Sequence, residues 1–254
     1  MTSTPLISCI VPVFNGERYL SEALDSIIHQ TCRWTPEIIV VDDGSTDGSA
    51  TVVGKYADSV RYIRQDNKGP ATARNRGLQE ARGQFVGFLD QDDLWHSEKL
   101  ERQMARFADR PDLDLCVTHA AVFFASELGV KAVQFRNPRL SRPQPGYLMG
   151  TLLARRIVFE AVGLLNPGLR YGDAADWFVR AADLGLKMEL LPEVLMHHRI
   201  HEGNYSRLNI AASQYEFLEI LKASLDRRRA VGSGVASSYN FTSGRSGLGQ
   251  FHNG

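Results

Sequence analysis

Asp90, Asp92 and Asp93 stand within four residues of one another, directly behind the apolar run Phe85-Val86-Gly87-Phe88-Leu89. Carboxylates this close repel one another unless a cation balances them. A hard divalent ion does so: Mg²⁺ or Mn²⁺ takes one or two protein carboxylates and fills its other positions with substrate phosphate oxygens and water. The competing role is a solvated acidic turn. A second acidic string, Asp42-Asp43-Gly44-Ser45-Thr46-Asp47, also closes an apolar run. An acid there can accept hydrogen bonds from a sugar hydroxyl or a base N–H, although Asp, Ser and Thr equally suit a helix-capping turn. Arg74, within GPATARNRG, offers a cation. Asp173 and Asp176 are three apart and share a face if that segment is helical. The chain has neither GxGxxG nor GxxxxGK[ST], so a bound diphosphate needs some other counter-charge.

Elements of regular structure must hold these groups. Residues 6–14 (LISCIVPVF) are nearly all apolar, as in a strand buried on both faces. Asn15 is placed to cap a helix carrying Leu20, Ala23, Leu24, Ile27 and Ile28 at helical spacing. Residues 38–41 and 60–64 read as strands around a helix capped by Ser45 or Thr46 and running to about Ala57. Pro70 opens and Gly83 closes the next helix. A strand at 85–89, a helix capped by Ser97 and stopped by Pro111, and a strand at 113–122 follow. Such alternation predicts βαβ units and a mostly parallel sheet, whose ligands bind beyond the carboxyl ends of the strands. Both acidic strings fall there. Residues 123–145 are irregular. From Met149 to about Gly185 the pattern is strand, helix, loop, helix, with short strands at 188–191 and 194–196 and a helix at 208–229. The Gly- and Ser-rich stretch 230–254 reads as disordered.

The strings ISCIVPVFNGERYL, IIVVDDGSTDGS, GPATARNRGL and FVGFLDQDDLW, in this order and spacing, resemble glycosyltransferase family 2, a large inverting family with the GT-A fold. The resemblance is strong over 6–110 and moderate over 145–206. It implies an α/β protein with a Rossmann-like, mostly parallel central sheet flanked by helices and a smaller C-terminal acceptor part. It also implies a nucleotide-diphosphate sugar donor (a UDP-sugar favoured), Mn²⁺ or Mg²⁺, and a single in-line displacement by an acceptor hydroxyl. On this resemblance Asp92 is the metal ligand, Asp90 and Gln91 lie near the donor ribose and sugar, and Asp43 reads the nucleobase. Pro12, Phe14 and Asn15 line the base and ribose pocket, and Arg74 lies near the diphosphate. His201 matches a C-terminal histidine that reaches back to the metal or diphosphate. The family's acidic pair is incomplete, because Ala174 stands where its second acid is expected. Asp173 and Asp176 are then the candidate bases. Asp176 is preferred, since Asp173 opens the helix, where the helix dipole favours an acid as a cap, and a capping carboxylate is the poorer base.

The expected boundaries are 1–120 for the nucleotide-sugar half, 121–206 for the acceptor and base half of the same domain, 207–229 for a C-terminal helix and 230–254 for the tail. Two other readings compete: an inactive relative serving as a binding or regulatory subunit, and a GT-A-like nucleotidyltransferase. The second should carry GxxxR near the first strand, which is not seen, and the intact DQDD string argues against the first.

With 254 residues, 29 basic and 29 acidic, the chain has zero formal net charge, which argues against a nucleic-acid-binding surface. Cys9, Cys32 and Cys116 form no CxxC pair, as expected of reduced, buried thiols. No apolar run reaches the ~18 residues of a membrane span, and 6–14 makes a poor signal peptide. The sequons at Asn204 and Asn240 therefore carry little weight. A cytoplasmic protein is expected, in cell-surface polysaccharide or glycoconjugate biosynthesis, with a carbohydrate or lipid-linked acceptor. A lipid-linked acceptor would place it peripherally at the inner face of a membrane, with 208–229 as the weak anchor candidate.

Overall fold

The structure is a computed structural model and describes residues 7–129, 142–203 and 210–230. Its first part runs β1 (Ile7–Val13), α1 (Leu20–Ile28), β2 (Glu37–Asp42), α2 (Ser49–Gly54), β3 (Val60–Arg64), α3 (Pro70–Glu80) and β4 (Phe85–Phe88). These four strands are parallel, in the order β3-β2-β1-β4. The chain continues through β5 (Leu94–Trp95), α4 (Lys99–Asp109), β6 (Leu115–Phe124), β7 (Gln144–Pro145), β8 (Leu153–Arg155), α5 (Val158–Val162), α6 (Asp173–Asp183), β9 (Met188–Ile200) and α7 (Ile210–Ala230). The sheet extends from β4 through β8, β6 and β9 to β5. Here β8 is antiparallel to both neighbours, β6 and β9 are parallel, and β5 is antiparallel to β9.

Strand alternation divides the interior in two. Ile7, Cys9, Val11 and Val13 of β1 face one core with Leu20, Leu24 and Ile27 of α1 and Leu100, Met104 and Phe107 of α4. Ile10 faces the other, with Ala73 and Leu78 of α3, Phe159 of α5 and Trp177 of α6. The helix α3 lies so close to β1 that a Cβ on Gly77 would fall 2.3 Å from Ile10 Cγ2. That approach fixes where the α3 residues point.

Local chemistry shifts several expected boundaries. Tyr19 rather than Asn15 precedes α1, and Asn15 takes a left-handed φ of 51°. α2 is only six residues long, opened by Gly48 rather than Ser45 or Thr46. α3 stops at Glu80, before Gly83, and Glu98 rather than Ser97 precedes α4. The two short strands at 188–191 and 194–196 are one strand, β9, whose register against β6 shifts around Thr118 and His119. The shift accommodates Pro192, which has no N–H for the ladder. The two-residue β5 is too short to leave a pattern in the sequence. Residues 231–254 and both sequons lie outside the described residues, so the expected tail falls there too. Among the described residues, no helix is long and apolar enough to cross a membrane.

Candidate active site

The carboxyl ends of β1, β2 and β4 carry the donor-side candidates, and short polar ties lock their loops together. Phe14, half-exposed just beyond β1, is held by an amide clamp: its N–H donates to Gln91 Oε1 (2.8 Å), and Gln91 Nε2 donates to its carbonyl (3.0 Å). A Cβ at Gly16 would lie 2.4 Å from Gln91 Oε1, so a side chain there would displace the amide clamp. Asn15 N–H donates to Ser45 Oγ, Asn15 Oδ1 accepts from Thr46 N–H, and Gly16 N–H donates to Ser49 Oγ at 2.9 Å. Asn15, Ser45 and Thr46, expected as caps, thus stitch two strand-end loops to each other. Pro12 is buried within β1.

Asp43 is buried, and its carboxylate accepts from Gln65 Nε2 (2.8 Å), Lys68 N–H (2.9 Å) and Gly69 N–H (2.7 Å). It organises the loop that feeds α3. Its neighbour Asp42 accepts from Ser45 N–H, the Tyr62 hydroxyl and Arg64. Burial would raise the Asp42 carboxyl, but its hydrogen bonds to Tyr62 and Ser45 outweigh it and hold the group below the usual carboxylate range.

Beyond β4, each acid of the DQDD string has a different partner. Asp90, partly exposed, accepts from Arg74 Nη2 at 2.6 Å. Asp92 Oδ2 lies 2.9 Å from His201 Nε2, and Arg199 Nε donates to the Asp92 carbonyl. Asp93 is 1% exposed, pairs with His198 Nδ1 at 2.9 Å and accepts the Arg199 N–H. Burial pushes the Asp93 carboxyl up to about 6 even against the pull of His198. Burial also opposes charge on His198, yet Asp93 outweighs it and lifts the imidazole to about 9. The Arg199 guanidinium lies over the Tyr19 and Phe123 rings, 4.5 and 4.7 Å from their centroids. Tyr19 also packs on the His201 ring, and its hydroxyl donates to Glu127. His198, Arg199, Tyr19 and Glu127 were not anticipated. The first two sit in the same string as His201, and reading 197–201 as a strand entering the site would have found them.

Asp92 and His201 present a carboxylate oxygen and an imidazole nitrogen side by side. Among the described residues, no three His, Cys, Asp or Glu side chains cluster as a metal site. Two protein ligands fit an ion that completes its shell with phosphate oxygens and water.

The two candidate bases separate by their contacts. Asp173 opens α6 without capping it, and its Oδ2 accepts from Arg74 Nη1 at 2.7 Å. Both Arg74 and Asp173 are buried. Oδ1 of Asp173 has no hydrogen-bond partner among the described residues. Asp176 accepts instead from Arg180 Nε at 2.8 Å, and Arg180 also donates to the Val162 and Leu164 carbonyls. That pair ties α6 to the end of α5. The contacts of the two acids differ: Asp173 shares Arg74 with Asp90, and Asp176 pairs with Arg180. The loop before α6 is held from α7, where the Glu216 carboxylate accepts the N–H groups of Arg170, Tyr171 and Gly172.

The sequence profile described as Glycosyl transferase family 2 matches residues 8–160. An uncharacterized glycosyltransferase of Rickettsia typhi is 31% identical over 234 residues, covering 87% of this chain and 71% of that protein. Another, from Nostoc sp., is 33% identical over 215 residues, or 78% of this chain and 66% of its own. Among solved structures, S. aureus TarS 1–349 in complex with UDP-GlcNAc superposes with a TM-score of 0.70 at 23% identity, covering 87% of this chain and 66% of TarS 1–349. The mannosyltransferase PcManGT of Pyrobaculum calidifontis, in complex with GDP-Man and Mn²⁺, gives 0.61 at 20% identity, covering 92% and 77%. This chain spans 43% of a longer TarS structure. At these identities the structural likeness shows the fold, which is GT-A.

Proposed function

The chain belongs to glycosyl transferase family 2, and from that membership we propose that it moves a sugar from a nucleotide-diphosphate donor to an acceptor hydroxyl, with inversion at the anomeric carbon. The observation that carries this reading is the convergence of Asp90, Asp92, His201, Arg74 and Asp173 at one end of the sheet. Those groups supply opposite needs. Asp92 and His201 would hold a divalent ion, Mn²⁺ or Mg²⁺, which when bound neutralises charge on the leaving diphosphate. Phe14 and Asn15 are exposed beside the Gln91 clamp and would line the base and ribose pocket above Pro12. Asp43 supports that pocket by fixing the 65–69 loop, and its Oδ2, which accepts the Gly69 N–H, has a second lone pair to offer a base N–H.

Asp173 is the proposed base. Its Oδ1 would take the acceptor proton as the hydroxyl attacks, which requires a heavy-atom approach of about 2.6–3.2 Å. Arg74, between Asp173 and Asp90, offers its charge to the diphosphate side. Because Asp173 supplies an acid one residue before Ala174, the incomplete acidic pair is no reason to read the chain as inactive. A UDP-sugar is the favoured donor, in line with the UDP-GlcNAc held by TarS, and PcManGT makes a GDP-sugar the first alternative. We place the acceptor contacts on 121–206 and the reaction in cell-surface polysaccharide or glycoconjugate assembly, with a carbohydrate or lipid-linked acceptor handled in the cytoplasm or at the membrane's inner face.

Donor hydrolysis tests the reading. UDP-, GDP- and dTDP-sugars, incubated with the chain and Mn²⁺, should release the nucleoside diphosphate slowly from one of the three. EDTA should abolish release and excess Mn²⁺ restore it. Asp92→Ala should lose release at an unchanged Tm, since Asp92 lies outside both cores. Release at full rate in chelator would remove the metal from the proposal.

A further inference from the structure

Arg199 lies near the end of β9, and His201 stands just beyond it. Side chains two residues apart on extended backbone point to the same face, and these two meet the same residue. His201 Nε2 lies 2.9 Å from Asp92 Oδ2, and Arg199 Nε donates to the Asp92 carbonyl at 2.9 Å. The Arg199 main chain holds the next residue, since its N–H donates to Asp93 Oδ1, also at 2.9 Å. The peptide between Asp92 and Asp93 is therefore held on both sides: Arg199 takes its carbonyl, and its N–H donates to the Asp90 carbonyl at 3.1 Å. A peptide is planar, so fixing both of its polar groups fixes the backbone torsion that aims the Asp92 side chain. Arg199 is itself immobilised. It is buried, its guanidinium packs on the Tyr19 and Phe123 rings, and its Nη2 donates to Glu22 Oε2, in the first turn of α1, at 2.8 Å. A planar guanidinium reaches two acceptors in fixed directions, which a lysine ammonium cannot copy.

We propose that Arg199 is a positioning residue for the metal-binding carboxylate: by fixing the 92–93 peptide it aims Asp92 at the place where His201 Nε2 lies, so that both groups can meet one divalent ion. The proposal rests on Asp92 and His201 being the ligands, as proposed above. The rest of the DQDD turn shows why a separate anchor is needed. The side chains of Asp90, Gln91 and Asp93 each tie the turn to a different element: Arg74 of α3, Phe14 beyond β1 and His198 of β9. Asp92 differs, because Arg199 holds it through its main chain, and that anchor takes up no carboxylate oxygen. An ion that takes only two protein ligands depends on how well those two are aligned. Through Glu22 and Tyr19 the same guanidinium also ties the turn to α1, so the direction of Asp92 is set jointly by the first helix and the last strand.

The test is nucleotide affinity by calorimetry on the full chain, for UDP, GDP and dTDP, each in Mn²⁺ and in EDTA. Wild type should bind one of the three more tightly with Mn²⁺, and the ratio of its two affinities reads the metal site apart from the base and ribose contacts. Arg199→Lys keeps a cation but cannot serve the Asp92 carbonyl and Glu22 together. Its ratio should fall by about tenfold, or to one where wild type gives less, with affinity in EDTA unchanged. Glu22→Ala removes only the carboxylate that steadies the guanidinium, so the ratio should fall less, by about a few-fold. Asp176→Asn cuts a pair that does not touch the DQDD turn, so it should lower Tm and keep the wild-type ratio. Should Arg199→Lys fail to fold, Glu22→Ala, altered at an exposed residue, still decides. An unchanged ratio in these two variants, or equal losses in Mn²⁺ and in EDTA, overturns the proposal, as does an Asp176→Asn ratio that falls as far. Asp92→Ala separates the two levels. If it brings the ratio to one while Arg199→Lys leaves it unmoved, the ligand stands and the role of Arg199 falls. If it keeps the wild-type ratio, or if wild type itself gains nothing from Mn²⁺, the ligand assignment falls and the proposal with it.

Discussion

The β1–β4 half and the β6–α7 half hold their site residues by different means. In the first, polar side chains bond to backbone a loop away: Gln91 to Phe14, Asn15 to Thr46, Asp43 to Lys68 and Gly69. In the second, the ties are ion pairs and caps between distant elements: Arg180 to Asp176, Glu216 to the 170–172 loop, and Arg227 and Arg228 to Asp183. Amide ties such as those of Gln91 and Asn15 fix a loop whatever the charge state of the protein. Ion pairs fix a helix only as well as both partners stay charged and packed. The β1–β4 side is therefore built as a rigid frame, and the proposed base is delivered to it by a helix whose position depends on long-range pairing.

The largest effect that could break this contrast lies at α6. Asp173→Asn should lose transfer by about 10²-fold or more with nucleoside diphosphate affinity unchanged. Asp176→Asn should keep transfer within a few-fold and lower Tm, because it cuts α6 from the end of α5. Equal losses of transfer in the two variants would mean that both acids act at the reacting centre. Next comes the α7 strut. Glu216→Ala strips the shared acceptor from three backbone N–H groups, a loss of about 2 kcal/mol, or roughly 4–8 °C in Tm. Transfer should fall and UDP affinity should not, as calorimetry can read. Smaller again is the frame itself. Gln91→Leu removes both bonds to Phe14, and nucleotide affinity should weaken by about 1–2 kcal/mol at little change in transfer rate once donor is saturating. A drop in kcat as large as that of Glu216→Ala would erase the distinction between frame and delivered base.

The same contrast explains what could be read in advance. The parallel half was legible because each buried strand is a continuous apolar run and both acidic motifs directly follow one, so Asp90 and Asp92 could be assigned to a strand end, and Arg74 to a helix beside it, before any coordinates. Helix caps were misread there. Asn15, Ser45 and Thr46 have the right chemistry for capping, but bonding across to a neighbouring loop satisfies more groups, and composition cannot distinguish the two. In the second half, β9 looked like two strands because Pro192 interrupts its pattern and only the register shift against β6 restores it. Asp176 looked the better base because a first-turn Asp usually caps its own helix. Asp173 does not, since Arg74, from a helix far away in sequence, claims its carboxylate. A partner 99 residues away leaves no local trace.

The stitch at the end of β1 has a consequence for the ageing of the protein. Asparagine followed by glycine is prone to slow cyclisation: the glycine nitrogen attacks the asparagine side-chain carbon, ammonia leaves, and hydrolysis yields aspartate or isoaspartate. Asn15-Gly16 is such a pair, and its turn is exposed at Asn15. Here the attacking nitrogen is engaged with Ser49 Oγ, and the Asn15 side-chain oxygen is held by the Thr46 N–H. Cyclisation must first free the Gly16 nitrogen and turn the Asn15 side chain from the position in which Thr46 holds it. Ser49→Ala should therefore accumulate isoaspartate at position 15 faster than the parent during storage, by peptide mass spectrometry, with donor hydrolysis decaying in step. Equal rates would mean the turn opens freely. A loop frame that aligns a binding pocket would in this way also set how long the pocket lasts.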